Sequence, residues 1–261
     1  MELKGKVSIV TGGSRGIGRG ISEALAESGS NLAIIYRANR EEFEKFRAFL
    51  LRRSDLEIEG YQVDVTDNNG VVQTFKEIFN RFGSIDILVN CAGRASSTRS
   101  VEKVSVKEWR AVIDLDLNAA FYCSKAVLEY MHRRGGGLII NISSIVAATC
   151  HGGSSSYATA KAGLEAFTKV LAREEASNGI RVNAIAPGLI ASDMSTQMSQ
   201  VYGKDRMRDV MESIPLGKLG EPRDVGDMVA YLVSSKGAYI TGQVLGIDGG
   251  MYYWKSTFAD L

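Results

Sequence analysis

The chain has 261 residues, 45% apolar and 23% charged, with a formal charge of +1, the profile of a globular protein with a sizeable core. Its longest basic runs are the pairs Arg52-Arg53 and Arg133-Arg134, which points away from nucleic acid or an acidic membrane surface as a partner. No window approaches the roughly 18 apolar residues of a membrane span, the amino terminus lacks a signal-like apolar run, and Cys91, Cys123 and Cys150 have no metal-ligand spacing. A cytoplasmic protein without a metal site is expected.

In chain order, β-rich apolar runs at 6–11, 31–36, 57–63, 86–90, 138–142, 181–186 and 243–247 alternate with helix-period segments at 17–27, 40–52, 68–81, 106–133, 157–177 and 224–234. Several runs, such as IDILVN and LIINIS, are apolar throughout, which suits parallel strands buried on both faces. Gly29 and Gly179 stand where helix C-caps belong. The expectation is one α/β domain over residues 1–261, a doubly wound parallel sheet of about seven strands with helices on both faces. A long excursion at 188–215 breaks the alternation and reads as a binding loop or lid. The tail at 251–261 is aromatic.

The first strand runs into Thr11-Gly12-Gly13-Ser14-Arg15-Gly16-Ile17-Gly18 and then a helix. Glycines at such a junction bring backbone N–H groups and a helix N-terminus up to a pyrophosphate; without that context the segment is a glycine-rich turn. At the end of the second strand stands Tyr36-Arg37, with no Asp or Glu. An acid there holds the ribose 2′-hydroxyl of NAD, whereas Arg37 with Arg15 would bind a 2′-phosphate, so NADP(H) is favoured over NAD(H). Asp64-Val65 and Asn90-Cys91-Ala92-Gly93 follow the third and fourth strands, where such folds bind ligands; taken singly, each is an ordinary turn.

Tyr157 and Lys161 lie four apart, one turn along a helix. A cation there lowers the pKa of a phenol and makes it a proton donor or acceptor for an alcohol or carbonyl, although the same spacing occurs on solvated helices.

Together, TGGSRGIG, NCAG, the Ser144–Tyr157–Lys161 set and Pro187-Gly188 resemble the short-chain dehydrogenase/reductase family over nearly the whole chain. The resemblance implies a Rossmann-type fold with Tyr157 as general acid/base. Lys161 would bind the nicotinamide ribose and lower the tyrosine pKa. Ser144, thirteen residues before Tyr157 and preferred to Ser143, would hold the substrate oxygen. Asn118, in DLDLNAAFY, would help hold a water in the proton relay. Gly12, Ser14, Arg15, Gly16, Ile17, Gly18, Arg37, Asp64, Val65, Asn90, Ala92 and Gly93 would contact the cofactor, with Pro187, Gly188, Ile190 and Ser192 at its carboxamide end. Ser192 stands in place of the usual threonine.

Within the family, the tail from Ile214 to Met251 resembles 3-oxoacyl-[acyl-carrier-protein] reductases, which implies an acyl-thioester substrate, an acyl carrier protein as partner and a homotetramer. A dehydrogenase of another secondary alcohol (polyol, sugar or hydroxysteroid) is the alternative, and a non-catalytic dinucleotide sensor a remote one. Against the first, a position often basic in those reductases is Asn178, leaving Arg133-Arg134 to meet an acidic carrier, with Arg173 either a further contact or a solvated partner of Glu174 or Glu175. His151 lines the substrate mouth or is a solvated loop residue. Met194, Met198, Met207 and Met211 form an apolar lid or ordinary core. Tyr252, Tyr253, Trp254 and Phe258 cap a neighbouring subunit's pocket or fill an interface.

Overall fold

Apolar residues within the strands divide by parity, and each set meets its own layer of helices. Val10, Leu32, Ile34, Val89 and Ile140 pack with Ile21, Leu25, Phe43, Phe46, Val225 and Val229, while their neighbours Ile9, Ala33, Ile35, Leu88 and Ile139 pack with Phe75, Ile78, Cys123, Val127 and Leu171. This two-sided burial is why the strands read as continuous apolar runs rather than as alternating ones.

The computed structural model describes residues 2–52, 55–94, 99–192 and 208–252. Seven strands, β1 (Val7–Thr11), β2 (Asn31–Tyr36), β3 (Ile58–Gln62), β4 (Ile87–Asn90), β5 (Gly137–Ile142), β6 (Ile180–Pro187) and β7 (Val244–Ile247), pair in parallel in the order 3-2-1-4-5-6-7. Helices α1 (Gly16–Glu27), α2 (Arg40–Leu51) and α8 (Pro222–Val233) cover one face; α3 (Asn68–Phe82), α5 (Ala119–Arg134) and α7 (Ser155–Glu175) cover the other. Between β1 and β4 the strand order reverses, and the connections diverge to leave a crevice at the carboxyl ends of the strands.

Two glycines set a close helix contact. A Cβ at Gly226 of α8 would stand 2.3 Å from the Gly20 carbonyl oxygen of α1, and one at Gly20 would stand 2.4 Å from that of Pro222. The two backbones therefore touch, which brings the start of α8 beside the glycine loop.

Two departures from the expected elements concern the site. The helix expected at 106–133 is α4 (Val106–Ile113), a π-helical turn over Asp114–Asn118, and α5. A short helix, α6 (Val146–Thr149), precedes α7. Residues 193–207 of the excursion and 253–261 of the tail, with Met194, Met198, Met207, Tyr253, Trp254 and Phe258, lie outside the described residues. Among the described residues no helix is long and apolar enough to cross a membrane.

Candidate active site

The crevice is tied together at its base. The Thr11 hydroxyl at the end of β1 accepts from the amides of Cys91 (2.9 Å) and Ala92 (3.0 Å), joining β1 to the turn after β4. Gly12, at φ +67°, lies so close that a Cβ there would be 3.2 Å from the Ala92 Cα. Inside the loop a Cβ on Gly18 would stand 2.2 Å from the Gly12 carbonyl oxygen, so only glycine lets the loop close onto α1. Ser14 is buried, Ile17 half-buried against the core, and Arg15 exposed at the helix N-cap, where its side chain makes no capping bond. With no acidic residue in the first turn of α1, its amino end suits an anion.

Arg37 is exposed at the end of β2, above the buried Tyr36. Asp64 and Val65 follow β3. Burial pushes the Asp64 carboxyl up, but hydrogen bonds from the Thr66 amide and hydroxyl, with the Arg37 charge, outweigh it and hold the group below its ordinary value. After β6, the Gly188 amide donates to the Ile247 carbonyl at 2.9 Å, Ile190 is buried and bridges to Gly220, and Ser192 comes to the glycine loop, 3.7 Å from where a Gly16 Cβ would be. Gly16 of the glycine loop and Ala191–Ser192 line one cleft together with Gly20 and Pro222, and beside the amino end of α1 it fits an extended anionic dinucleotide. Asn90 is different: its side-chain amide donates to Asn141 (2.8 Å) and Ser124 (3.1 Å), an internal strut between β4, β5 and α5.

The chemical groups sit across this crevice. Ser144, at the exit of β5, lies close enough to Tyr157 to pull its phenol down, and accepts from the Val146 amide at 3.2 Å. Ser143 instead donates to Glu165 at 2.7 Å. Lys161, buried one turn beyond Tyr157, donates from Nζ to the Ile142 carbonyl at 3.0 Å and lies 5.6 Å from the centre of the Tyr157 ring. Its third contact is Asp116 Oδ1, at 3.1 Å. His151 is exposed on the loop after α6, and Met211 is half-buried.

Asp116 is a buried residue of this crevice that the family motifs do not mark. Asn118, expected as the relay residue, donates instead to Asp114 at 2.9 Å. Asp116, 2% exposed, reaches Lys161 and accepts from the Arg94 amide at 3.3 Å. A signal for it was present. Val112, Asp116, Ala119 and Cys123 fall at helical intervals on one face and are all buried, whereas 118 is turned about 200° from 116 in a regular helix. A cavity of about 10 Å³, close to the space of one water, is lined by Thr11, Asn90, Asp116 and Lys161 among others.

The electrostatics also depart from expectation. Burial pushes the Tyr157 phenol up; Lys161 and Ser144 pull it down and Asp116 pushes it up, and the net direction is above the ordinary value of a phenol. Burial alone would lower the Lys161 ammonium, but Asp116 and Tyr157 together raise it. Lys161 does favour the phenolate, as expected of a neighbouring cation, yet burial and Asp116 override it.

The family model described as enoyl-(acyl carrier protein) reductase matches residues 12–252. The chain belongs to the short-chain dehydrogenase/reductase family. Among relatives, 3-oxoacyl-[acyl-carrier-protein] reductase FabG of Staphylococcus epidermidis is 41% identical over 247 residues, 95% of this chain and 99% of that one. The enzymes of the same name from Vibrio cholerae and Escherichia coli are 38% and 39% identical over 252 residues, 97% of this chain and 99% of theirs. A crystal structure from Sinorhizobium meliloti, named for a short-chain alcohol dehydrogenase, superposes with a TM-score of 0.90 at 33% identity, covering 96% of this chain and 97% of that one. This short-chain dehydrogenase/reductase is therefore an oxidoreductase of the carbonyl–alcohol couple that uses a nicotinamide cofactor.

The basic residues considered for carrier recognition lie elsewhere in the fold. Arg134 pairs with Asp86 at 2.6 Å, just before β4 and so at the amino edge of the sheet, and Arg133 pairs with Glu129. Glu175 takes its hydrogen bonds from His132 and Asn178, and Arg173 is exposed.

Proposed function

We propose that this chain reduces a 3-oxoacyl thioester with NADPH, with Tyr157 as proton donor. The observation that carries the reading is the set Ser144, Tyr157 and Lys161 at the carboxyl end of β5, facing a glycine loop shaped for a dinucleotide. The glycine loop, Asp64-Val65, Ala92 and Pro187–Ser192 would hold the cofactor, and Arg15 with Arg37 would take its 2′-phosphate. When bound, the nicotinamide supplies the hydride equivalent for the carbonyl carbon. Ser144 and Tyr157 donate hydrogen bonds to the substrate oxygen as negative charge gathers there, which stabilises the transition state. Tyr157 then gives up its proton. A phenol held above its ordinary pKa is protonated at neutral pH, which suits donation to a developing alkoxide. Lys161 holds the cofactor ribose and supports renewal of the proton.

The substrate class rests on the names of the FabG relatives, and an acyl carrier protein as its carrier follows from them. The exposed apolar side chains Trp109, Phe121 and Val170 on α4, α5 and α7 support a homotetramer built on those helices. A second reading, oxidation of another secondary alcohol, is favoured by Arg134, whose charge is held by Asp86 away from the crevice. Turnover of acetoacetyl thioester with NADPH and NADH, beside an enoyl thioester and a panel of polyols, sugars and hydroxysteroids, separates these readings. Fastest reduction of the oxo-thioester with NADPH is expected; preference for a panel alcohol would replace the proposal with the second reading.

A further inference from the structure

We propose that Asp116 is a positioning residue, a buried anion that neutralises Lys161 and so keeps the Tyr157 hydroxyl protonated as a proton donor. The inference rests on the role given to Tyr157 above.

The placement is built by several elements. The π-helical turn Asp114–Asn118 carries Asp116 to the crevice floor, where its carboxylate meets Lys161 Nζ at 3.1 Å and the Arg94 amide at 3.3 Å. Gly93 makes the approach possible: a Cβ there would stand 2.6 Å from Asp116 Oδ1. Lys161 has three N–H donors. The Ile142 carbonyl and Asp116 take two of them, which fixes where the third points.

A lysine in contact with a phenol favours the phenolate. Here a carboxylate compensates the ammonium, so the pair brings little net positive charge to Tyr157. The other ionisable groups acting on Tyr157 and Lys161 do not reverse this. Cys91, from the turn after β4, has a thiol pushed by burial to about 12, so it is neutral. Burial pushes the Asp116 carboxyl above its ordinary value, while Lys161 and Arg94, which meets it through the backbone amide, favour the carboxylate. Asp114, on the same turn, is held by Asn118, and Glu165 of α7 by Ser143. Both Tyr157 and Lys161 are raised, in keeping with the geometry.

The test is Asp116→Asn, close in size but uncharged. In the full chain without cofactor or substrate, tyrosinate absorption is titrated for wild type and Asp116→Asn, each against its Tyr157→Phe counterpart so that Tyr157 is isolated. Removing a charge in this position should move tyrosinate formation down by about one pH unit or more, and the alkaline limb of the reductive kcat/KM profile should move with it. A Tyr157 titration that stays in place or moves up overturns the proposal, even if the variant is slower or less stable at every pH, as a merely structural role would make it. The titration needs no turnover, so it can fail while the proposed reaction stands, and the reverse.

Discussion

Replacing Lys161 by methionine removes the only cation that the Asp116 carboxylate contacts among the described residues. At 3.1 Å, with an effective dielectric of about 20, the attraction is roughly 5 kcal/mol before desolvation is counted. Leaving one member of a buried pair uncompensated costs about 3–5 kcal/mol. The Arg94 amide still bonds Asp116, so Lys161→Met should fall near the lower end, about 3 kcal/mol. For a chain of this length that is a melting shift on the order of 10 °C, read by calorimetry at fixed protein concentration. The loss should shrink towards mildly acidic pH. Asp116 in the variant has a folded-state pKa above its unfolded one, so the folded state binds the extra proton and stability falls as pH rises. Asp116→Asn/Lys161→Met should recover more than half of the shift, because no buried charge is left alone. If the double variant melts no higher than Lys161→Met, or the shift ignores pH, the pair is not the electrostatic unit described.

Arg15→Ala/Arg37→Ala should raise KM for NADPH by about 10-fold or more with little change for NADH, consistent with the loss of two charge-assisted contacts; steady-state kinetics with both cofactors checks it, and equal changes would remove the 2′-phosphate from the argument. Gly226→Ala forces a Cβ to within 2.3 Å of the Gly20 carbonyl oxygen, a backbone atom with little freedom to yield. A loss of at least about 1–3 kcal/mol is expected from overpacking, seen as a lower melting temperature, whereas an unchanged one would mean that α1 and α8 separate at little cost.

The fold was legible because its signals are redundant. The inner strands are short apolar runs set between helix-period segments, and burial on both faces explains that pattern, whereas the edge strands β3 and β7 are only partly buried. The glycine loop and the serine–tyrosine–lysine set were legible from chemistry plus spacing, and the structure brings them to one crevice. Asp116 was not, because the motif match chose an amide two residues along, and a step of two reverses the face of a helix. The net direction at Tyr157 was also hidden, because spacing reveals Lys161 as a neighbour but not the burial or the carboxylate behind it. Arg134 looked like an exposed cation in sequence; its pairing with Asp86 depends on a contact 48 residues away, at the start of the neighbouring strand β4.

The most direct test of the central claim is the rate of acetoacetyl-thioester reduction by wild type and Tyr157→Phe in single turnover at saturating NADPH, with cofactor affinity measured alongside by fluorescence. The account predicts that the variant binds NADPH nearly as wild type does and reduces the thioester slower by a factor of at least about 10²–10⁴, the range for loss of a positioned proton donor. A variant that binds NADPH and keeps a rate close to wild type would contradict it.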